Sequence, residues 1–234
     1  MPKSTRDLTL RQLMPRRAPR QLRSRILFEK IIGTAKALFE QHGFAHVTTN
    51  KIAEEANISI GSLYQYFTNC ESIALAVYEQ ACAKAALTMK RRVLESLSLP
   101  LEMSIPKHIE WVLEIYEKDR YALLQLMYEV PELRPISQPL SIGSLMSRTS
   151  QTVLEQHFSG VTQDIVARKS YILDKSVTGV ISHYLEDRPD FLSRQEAIAE
   201  MTDLVRLYLN SLSGHARRKA GSLSKAALRA MGAD

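Results

Sequence analysis

Thr48-Thr49-Asn50-Lys51-Ile52-Ala53-Glu54-Glu55-Ala56-Asn57-Ile58-Ser59-Ile60-Gly61-Ser62-Leu63-Tyr64-Gln65-Tyr66-Phe67 is the stretch on which the fold of this chain turns. In its first half Ile52, Ala53 and Ala56 share one side, with Asn50, Lys51, Glu54 and Glu55 on the other. That is a helix of two turns with a threonine at its N-cap. Asn57-Ile58-Ser59 then predicts a sharp turn, because Asn tolerates the left-handed conformation and Ser59 can cap the next helix. That third helix, Ile60 to Phe67, places Ile60, Leu63 and Phe67 on one face at about 100° per residue. Gly61, Ser62, Gln65 and Tyr66 fall on the opposite face, with Tyr64 at the flank. That face carries hydroxyls and an amide but no charge, which suits hydrogen bonds to phosphates and base edges. Gly61 at the helix start lets backbone come close to a partner, and the N-terminal N–H groups favour an anion. Two short helices joined by a tight turn outline a helix-turn-helix unit, whose second helix enters the DNA major groove. Helix pairs of this kind also occur in all-α proteins that bind nothing, so the flanking sequence has to decide.

Upstream, Leu27, Ile31, Ala35 and Leu38 recur at four-, four- and three-residue steps from Ser24 to His42-Gly43, widened by Phe28, Ile32 and Phe39. This predicts an amphipathic helix closed by a glycine C-cap. Downstream, Thr68 stands three residues before Glu71 as a capping pair for a long helix from about Glu71 into the 90s. Leu97 to Pro106 reads as a prolyl break. Helices follow at about 107–117, 119–129, 139–157, 164–187 and 193–212, separated by Pro131 and Pro135, Ser159-Gly160 and Arg188-Pro189. No run alternates as a strand would. The class expected is all-α, with an N-terminal three-helix helix-turn-helix domain followed by a helical ligand-binding and dimerisation domain.

The 234 residues carry 31 Lys plus Arg against 25 Asp plus Glu, with 45% hydrophobic and 24% charged residues. This is ordinary globular composition. Two cysteines, Cys70 and Cys82, call for no disulfide framework, and no Cys or His pair has metal-ligand spacing. No run approaches the length of a membrane span and none resembles a signal peptide, so a soluble cytoplasmic protein without membrane association is expected. No Gly-rich phosphate loop, HExxH, GxSxG or paired-carboxylate constellation is present, and Glu54-Glu55 reads as a solvated helix face. An enzyme is not expected, and neither is a cofactor or a metal. Charge is informative once located. Lys3, Arg6, Arg11, Arg16, Arg17, Arg20, Arg23 and Arg25 face one acid, Asp7, within the first 25 residues, while residues 71–234 are balanced. A basic arm ahead of a neutral reading helix points to an anionic polymer held at that end. An anionic membrane surface fits less well, because the arm has no amphipathic apolar face.

The run from Thr48 to Phe67, with the Ala-x-x-Leu-Phe-x-x-x-Gly-Phe stretch of Ala35 to Phe44, resembles the DNA-binding signature of the tetracycline-repressor (TetR/AcrR) family of bacterial regulators. The resemblance covers about 60 residues; the rest is similar in architecture alone. It implies a basic arm over 1–23, a DNA-binding domain over 24–84 with the helix-turn-helix at about 47–66, an effector-binding and dimerisation domain over 85–212, and a basic tail over 213–234, which should fray. It implies that Thr48 caps and contacts phosphate, and that Thr49, Asn50 and Lys51 face the backbone or a groove edge. Ser59, Gly61, Tyr64 and Tyr66 would then grip the sugar-phosphate backbone, and Ile60, Ser62 and Gln65 would face the bases. Gln65 is the expected reader, since its amide can pair bidentately with adenine. The chain departs from the family pattern at Cys70, where a phosphate-grasping Lys is usual. Arg20 and Arg23, with Arg16 and Arg17, are the candidates to compensate. Cys70 is either a small, partly buried helix-start residue or a redox-active thiol with a depressed pKa. Asn57 replaces the usual turn Gly.

The resemblance also implies a homodimer on double-stranded DNA with a palindromic operator, and a small, hydrophobic effector. The stripes Ile165, Ile172, Val180 and Leu185, then Ile198, Leu204, Leu207 and Leu212, are placed at the dimer interface in preference to the alternative of internal core. His108, Trp111, Tyr116, Tyr121, Met127, Tyr128, Met146 and Phe158 occupy the segment that lines the pocket in relatives, although Met and aromatic residues at helical spacing also build cores. Repression relieved by a ligand is the expected mode. A nucleoid-associated or cell-division regulator, or an activator, on the same fold are the alternatives.

Overall fold

The computed structural model describes residues 21–96, 98–133, 142–158 and 161–210. Arg16, Arg17 and Arg20 of the arm and the tail 213–234 lie outside the described residues. Helix α1 spans Leu22–His42, and its expected inward stripe, Ile31, Ile32, Ala35, Leu38 and Phe39, is buried. Gly43, at φ 75°, ends it with its N–H on the Phe39 carbonyl at 2.8 Å. A 3-10 turn at Phe44–His46 leads to α2, Thr49–Glu55, where Thr48 Oγ1 accepts from the Lys51 N–H at 3.2 Å as the sequence predicts. Asn57 takes the left-handed conformation at φ 48°. Helix α3, Ile60–Tyr64, is short, and Ser59 Oγ caps it by accepting from the Ser62 N–H at 3.1 Å.

Helix α4, Cys70–Ser96, begins differently from the expected Thr68–Glu71 pair. Asn69 is the residue immediately before the helix, so its Oδ1 is the atom that reaches the third amide, Ser72 N, at 2.8 Å. Ser72 Oγ reciprocates, accepting from the Thr68 and Asn69 N–H groups at 3.1 and 3.2 Å and donating to the Asn69 carbonyl at 2.7 Å. Ser72 is fully buried, so a hydroxyl bonded on all sides sits beneath the turn.

The predicted break at Leu97 to Pro106 is shorter than expected. Helix α5, Leu101–Lys118, starts directly after Pro100 and takes Pro106 into its interior. Proline has no N–H for the carbonyl four residues back, here Glu102. Arg206 supplies the missing donor, its Nη2 lying 2.9 Å from the Glu102 carbonyl oxygen. A π-helical turn at Tyr121–Gln125 follows, then α6, Leu126–Glu129, and a 3-10 turn at Pro131–Leu133. Helix α7, Ile142–His157, packs along α8, Gln163–Asp187, which ends at Arg188 with φ 43°. The last described helix, α9, covers 194–210. Among the described residues there is no strand.

By packing, the residues up to Ala86 form one unit together with the segment from Lys118 to Leu133, and Leu87–Glu117 forms another with the residues from Ile142 onward. In the first unit Ile52, Ala53 and Ala56 of α2, Leu63 of α3 and Phe67 meet the α1 stripe and Ile73, Ala74 and Val77 of α4. The stacked rings of Phe28 and Phe67, 5.0 Å apart, close it near the start of α1. In the second unit Met89, Ile109, Leu113, Leu154, Val166, Ile181, Met201 and Leu209 form the core.

Candidate functional site

Helices α2 and α3 present a surface whose side chains are organised by their own hydrogen bonds. Thr48, Asn50, Ser59, Gly61, Tyr64 and Gln65 are exposed, and Thr49, Lys51 and Ser62 are half-buried. Thr49 Oγ1 and the Tyr64 hydroxyl lie 3.0 Å apart, tying the start of α2 to the end of α3 across the surface. Ser59 and Ser62 pair through their hydroxyls at 2.8 Å, so the cap and a base-facing candidate are one unit. An added Cβ at Gly61 would meet only Ser59 Oγ at 3.9 Å. The fold itself therefore does not require glycine there; an approaching partner would.

Two residues sit elsewhere than the helical wheel places them. Ile60 is 37% exposed rather than on the core face, because as first residue of α3 it lies at the rim above Leu63. It is thus free for the base-facing role. Tyr66 is only 7% exposed, with its ring edge-on to Phe28 at 6.0 Å, and belongs to the core side instead of the polar face. The helix ends at Tyr64, and the Tyr66 N–H bonds the Leu63 carbonyl at 3.0 Å, three residues back. That tightening advances each residue by about 120° instead of 100°, which swings Tyr66 inward.

The surface from Ser59 to Tyr66 bears no charge. Arg23 and Arg25, exposed in the first turn of α1, are the described cations of the arm. Cys70 donates its Sγ–H to the Val47 carbonyl at 3.4 Å, and burial, reinforced by Glu71, pushes its thiol up to about 12. Burial thus works against the redox alternative: a helix N-terminus lowers a thiol's pKa where water and cations reach it, and here desolvation opposes that effect. The first unit is also fastened by two contacts that span more than 80 residues, Phe44 to Glu129 and Lys36 to Asp119, with Tyr121 bonded locally to the same Glu129. Glu129 Oε2 accepts from the Phe44 N–H at 2.6 Å and from the Tyr121 hydroxyl at 2.8 Å. No local pattern signals the two long-range contacts.

The second unit contains a cavity of about 100 Å³, lined by apolar side chains such as Ile105, Ile109, Leu154 and Val205, with Ser104, His108, Ser150, Asp174 and Thr178 as its polar members. Of the expected pocket residues, His108 is in this wall. Trp111 and Tyr116 share its helix but are outside the lining; Trp111 packs edge-on to His108 at 5.0 Å and under Arg92, and Tyr116 is buried. Tyr121, Met127 and Tyr128 belong to the first unit, Tyr121 bonded to Glu129 and Tyr128 exposed. The side chain of Met146 lies outside the described residues. Asp174 was not singled out by sequence, although Ser170-Asp174-Thr178 forms a polar line at four-residue spacing inside an apolar helix. The interface candidates Ile172, Val180, Leu204 and Leu207 are all exposed on α8 and α9, Leu207 at 72%.

A capped helix pair with an exposed, uncharged, hydrogen-bonding face on a three-helix core defines a helix-turn-helix DNA-binding protein. Residues 31–77 match the family model described as bacterial regulatory proteins, tetR family. Over this segment the chain is similar to the DNA-binding domain of the TetR/AcrR family of transcriptional regulators. It is 24% identical over 191 residues to the probable acrEF/envCD operon repressor of Escherichia coli K12, covering 77% of this chain and 86% of that one. In fold it is similar to a TetR-family regulator from Mesorhizobium loti, with a TM-score of 0.67 at 14% identity over 82% of this chain and 98% of that one. It is also similar to the FadR repressor of Thermus thermophilus in complex with lauroyl-CoA, with a TM-score of 0.55 at 21% identity over 78% and 93% of the two chains. No described helix is long and apolar enough to cross a membrane.

Proposed function

We propose that this regulator is a cytoplasmic homodimeric repressor that binds a palindromic operator and leaves it when a small, largely apolar ligand enters the second unit. The observation that carries the reading is the α2–α3 surface, where Thr48, Thr49, Ser59, Gly61 and Tyr64 supply backbone-directed donors around a centre of Ile60, Ser62 and Gln65. Contacts to phosphate fix register, and Gln65 with Ile60 and Ser62 reads base edges. The exposed Ile172, Val180, Leu204 and Leu207 support pairing of two chains through α8 and α9, since apolar patches of this kind mark interfaces. The apolar cavity around His108 supports a ligand, as does the lauroyl-CoA complex of the Thermus FadR. Ligand acts by population shift, favouring a spacing of the two α3 helices that no longer matches successive major grooves. Footprinting of fragments selected from random DNA tests the proposal: protection of an inverted repeat, lost on adding ligand, is the expected outcome. Protection that ignores sequence and falls steeply with salt would instead indicate an architectural nucleoid binder.

A further inference from the structure

We infer that the cavity of the second unit is built for a compact lipophilic cation whose ammonium pairs with Asp174. This rests on the effector reading above and specifies the ligand's chemistry. Asp174 lines the cavity from α8 and is 6% exposed. Ser150 on α7 donates to its Oδ1 at 2.7 Å and Ser147, one turn earlier, also stabilises the carboxylate, whereas Oδ2 is buried with no partner of hydrogen-bond geometry among the described residues. A buried carboxylate oxygen without a partner is costly to leave so, and a ligand donor would remove that cost. Ser170 Oγ, one turn earlier on α8, is likewise buried without a partner.

The described wall holds no cation that could take the ligand's place. His108 donates Nδ1–H to the Ser104 carbonyl at 2.7 Å, and burial pulls its pKa down, so it stays neutral. Lys175 is exposed over the ring of Tyr171, 5.7 Å from its centroid. A carboxylate or phosphate ligand would therefore meet like charge with nothing to neutralise it, and an uncharged hydrocarbon would leave Oδ2 unsatisfied. Apart from the hydroxyls of Ser104, Ser150 and Thr178, the remaining wall is aliphatic. The volume of about 100 Å³ suits one ring or a short alkyl chain.

Calorimetry on the full-length protein with three matched probes tests this: 2-phenylethylamine, 2-phenylethanol and phenylacetate. The ammonium should bind about 10- to 100-fold tighter than the alcohol, the range expected for a hydrogen bond to a charged group, and phenylacetate should be weakest. In Asp174→Asn that preference should collapse to within about threefold, while the alcohol binds as before; Asp174→Glu should restore part of it. Equal binding of amine and alcohol, preference for phenylacetate, no binding of any probe, or an unchanged preference in Asp174→Asn would each overturn the inference. The effector reading fails separately. Selective amine binding that leaves DNA affinity unmoved defeats that reading alone, whereas operator release by the alcohol or the acid alone defeats the inference alone.

Discussion

Gln65 stands exposed at the end of α3, on a surface whose other polar groups are tied to one another by the Thr49–Tyr64 and Ser59–Ser62 pairs. An amide held in this setting is able to pair bidentately with N6 and N7 on the major-groove edge of an adenine. Gln65→Ala should therefore cost about 1–3 kcal/mol of discrimination at one operator position, measured against single-base operator variants, with stability unchanged. Asp174 gives a second prediction. Burial pushes its carboxyl from the ordinary 3.8 up to about 6, against hydrogen bonds from Ser150 and Ser147 on α7 and the attraction of Lys175 on α8, with His108 neutral on α5. A carboxyl whose folded pKa is raised stabilises the protein least when ionised, so stability falls as pH rises from about 4 to 6 and stays low above. Asp174→Asn should recover on the order of 2 kcal/mol at pH 7.5 and nothing near pH 3.5, read from denaturant unfolding at the two pH values. Sequence displayed Gln65 because its neighbours repeat a recognisable pattern. It hid Asp174, because whether an acid in an apolar helix is buried depends on which helix covers it.

At the scale of elements, the caps explain why such short helices hold. Thr48, Ser59 and Asn69 each place an oxygen on an amide in the first turn of α2, α3 and α4, and each such bond is worth about 1 kcal/mol. Two of these caps were legible, since Thr and Ser stand directly before an apolar repeat. Asn69 was masked by Thr68, whose spacing to Glu71 fits a capping box equally well. The wheel failed at Tyr66 for a related reason: α3 tightens at its end, and a constant angle per residue no longer applies. Pro106 inside α5 was likewise illegible as a helix residue, because its tolerance depends on Arg206, a hundred residues away. Gly61 separates folding from function within one element. With only Ser59 Oγ at 3.9 Å from an added Cβ, Gly61→Ala should leave the melting temperature equal or higher, since Ala outranks Gly in a helix by up to about 1 kcal/mol. It should nevertheless weaken operator binding measurably by anisotropy, because the methyl group meets the DNA backbone.

Across the whole molecule, charge and readout are assigned to different segments. The first 25 residues carry eight basic side chains and one acid, while the Ser59–Tyr66 surface carries none. Removing residues 1–22 should therefore lower affinity for every DNA and flatten the dependence of log K on log salt, leaving the preferred sequence the same. The packing units add a connection that a reading along the chain misses. The segment from Lys118 to Leu133 joins the DNA-binding unit through Asp119 and Glu129, although more than 80 residues separate them from Lys36 and Phe44. Long-range partners of this kind depend on tertiary packing and leave no periodic trace. The measurement that bears most directly on the function is selection of bound fragments from random DNA by the full chain, followed by footprinting of the enriched sequence. Enrichment of one inverted repeat, with protected half-sites about one helical turn apart, is the outcome expected of two α3 helices in successive major grooves. Failure to enrich any inverted repeat, with binding that follows salt alone, would contradict it.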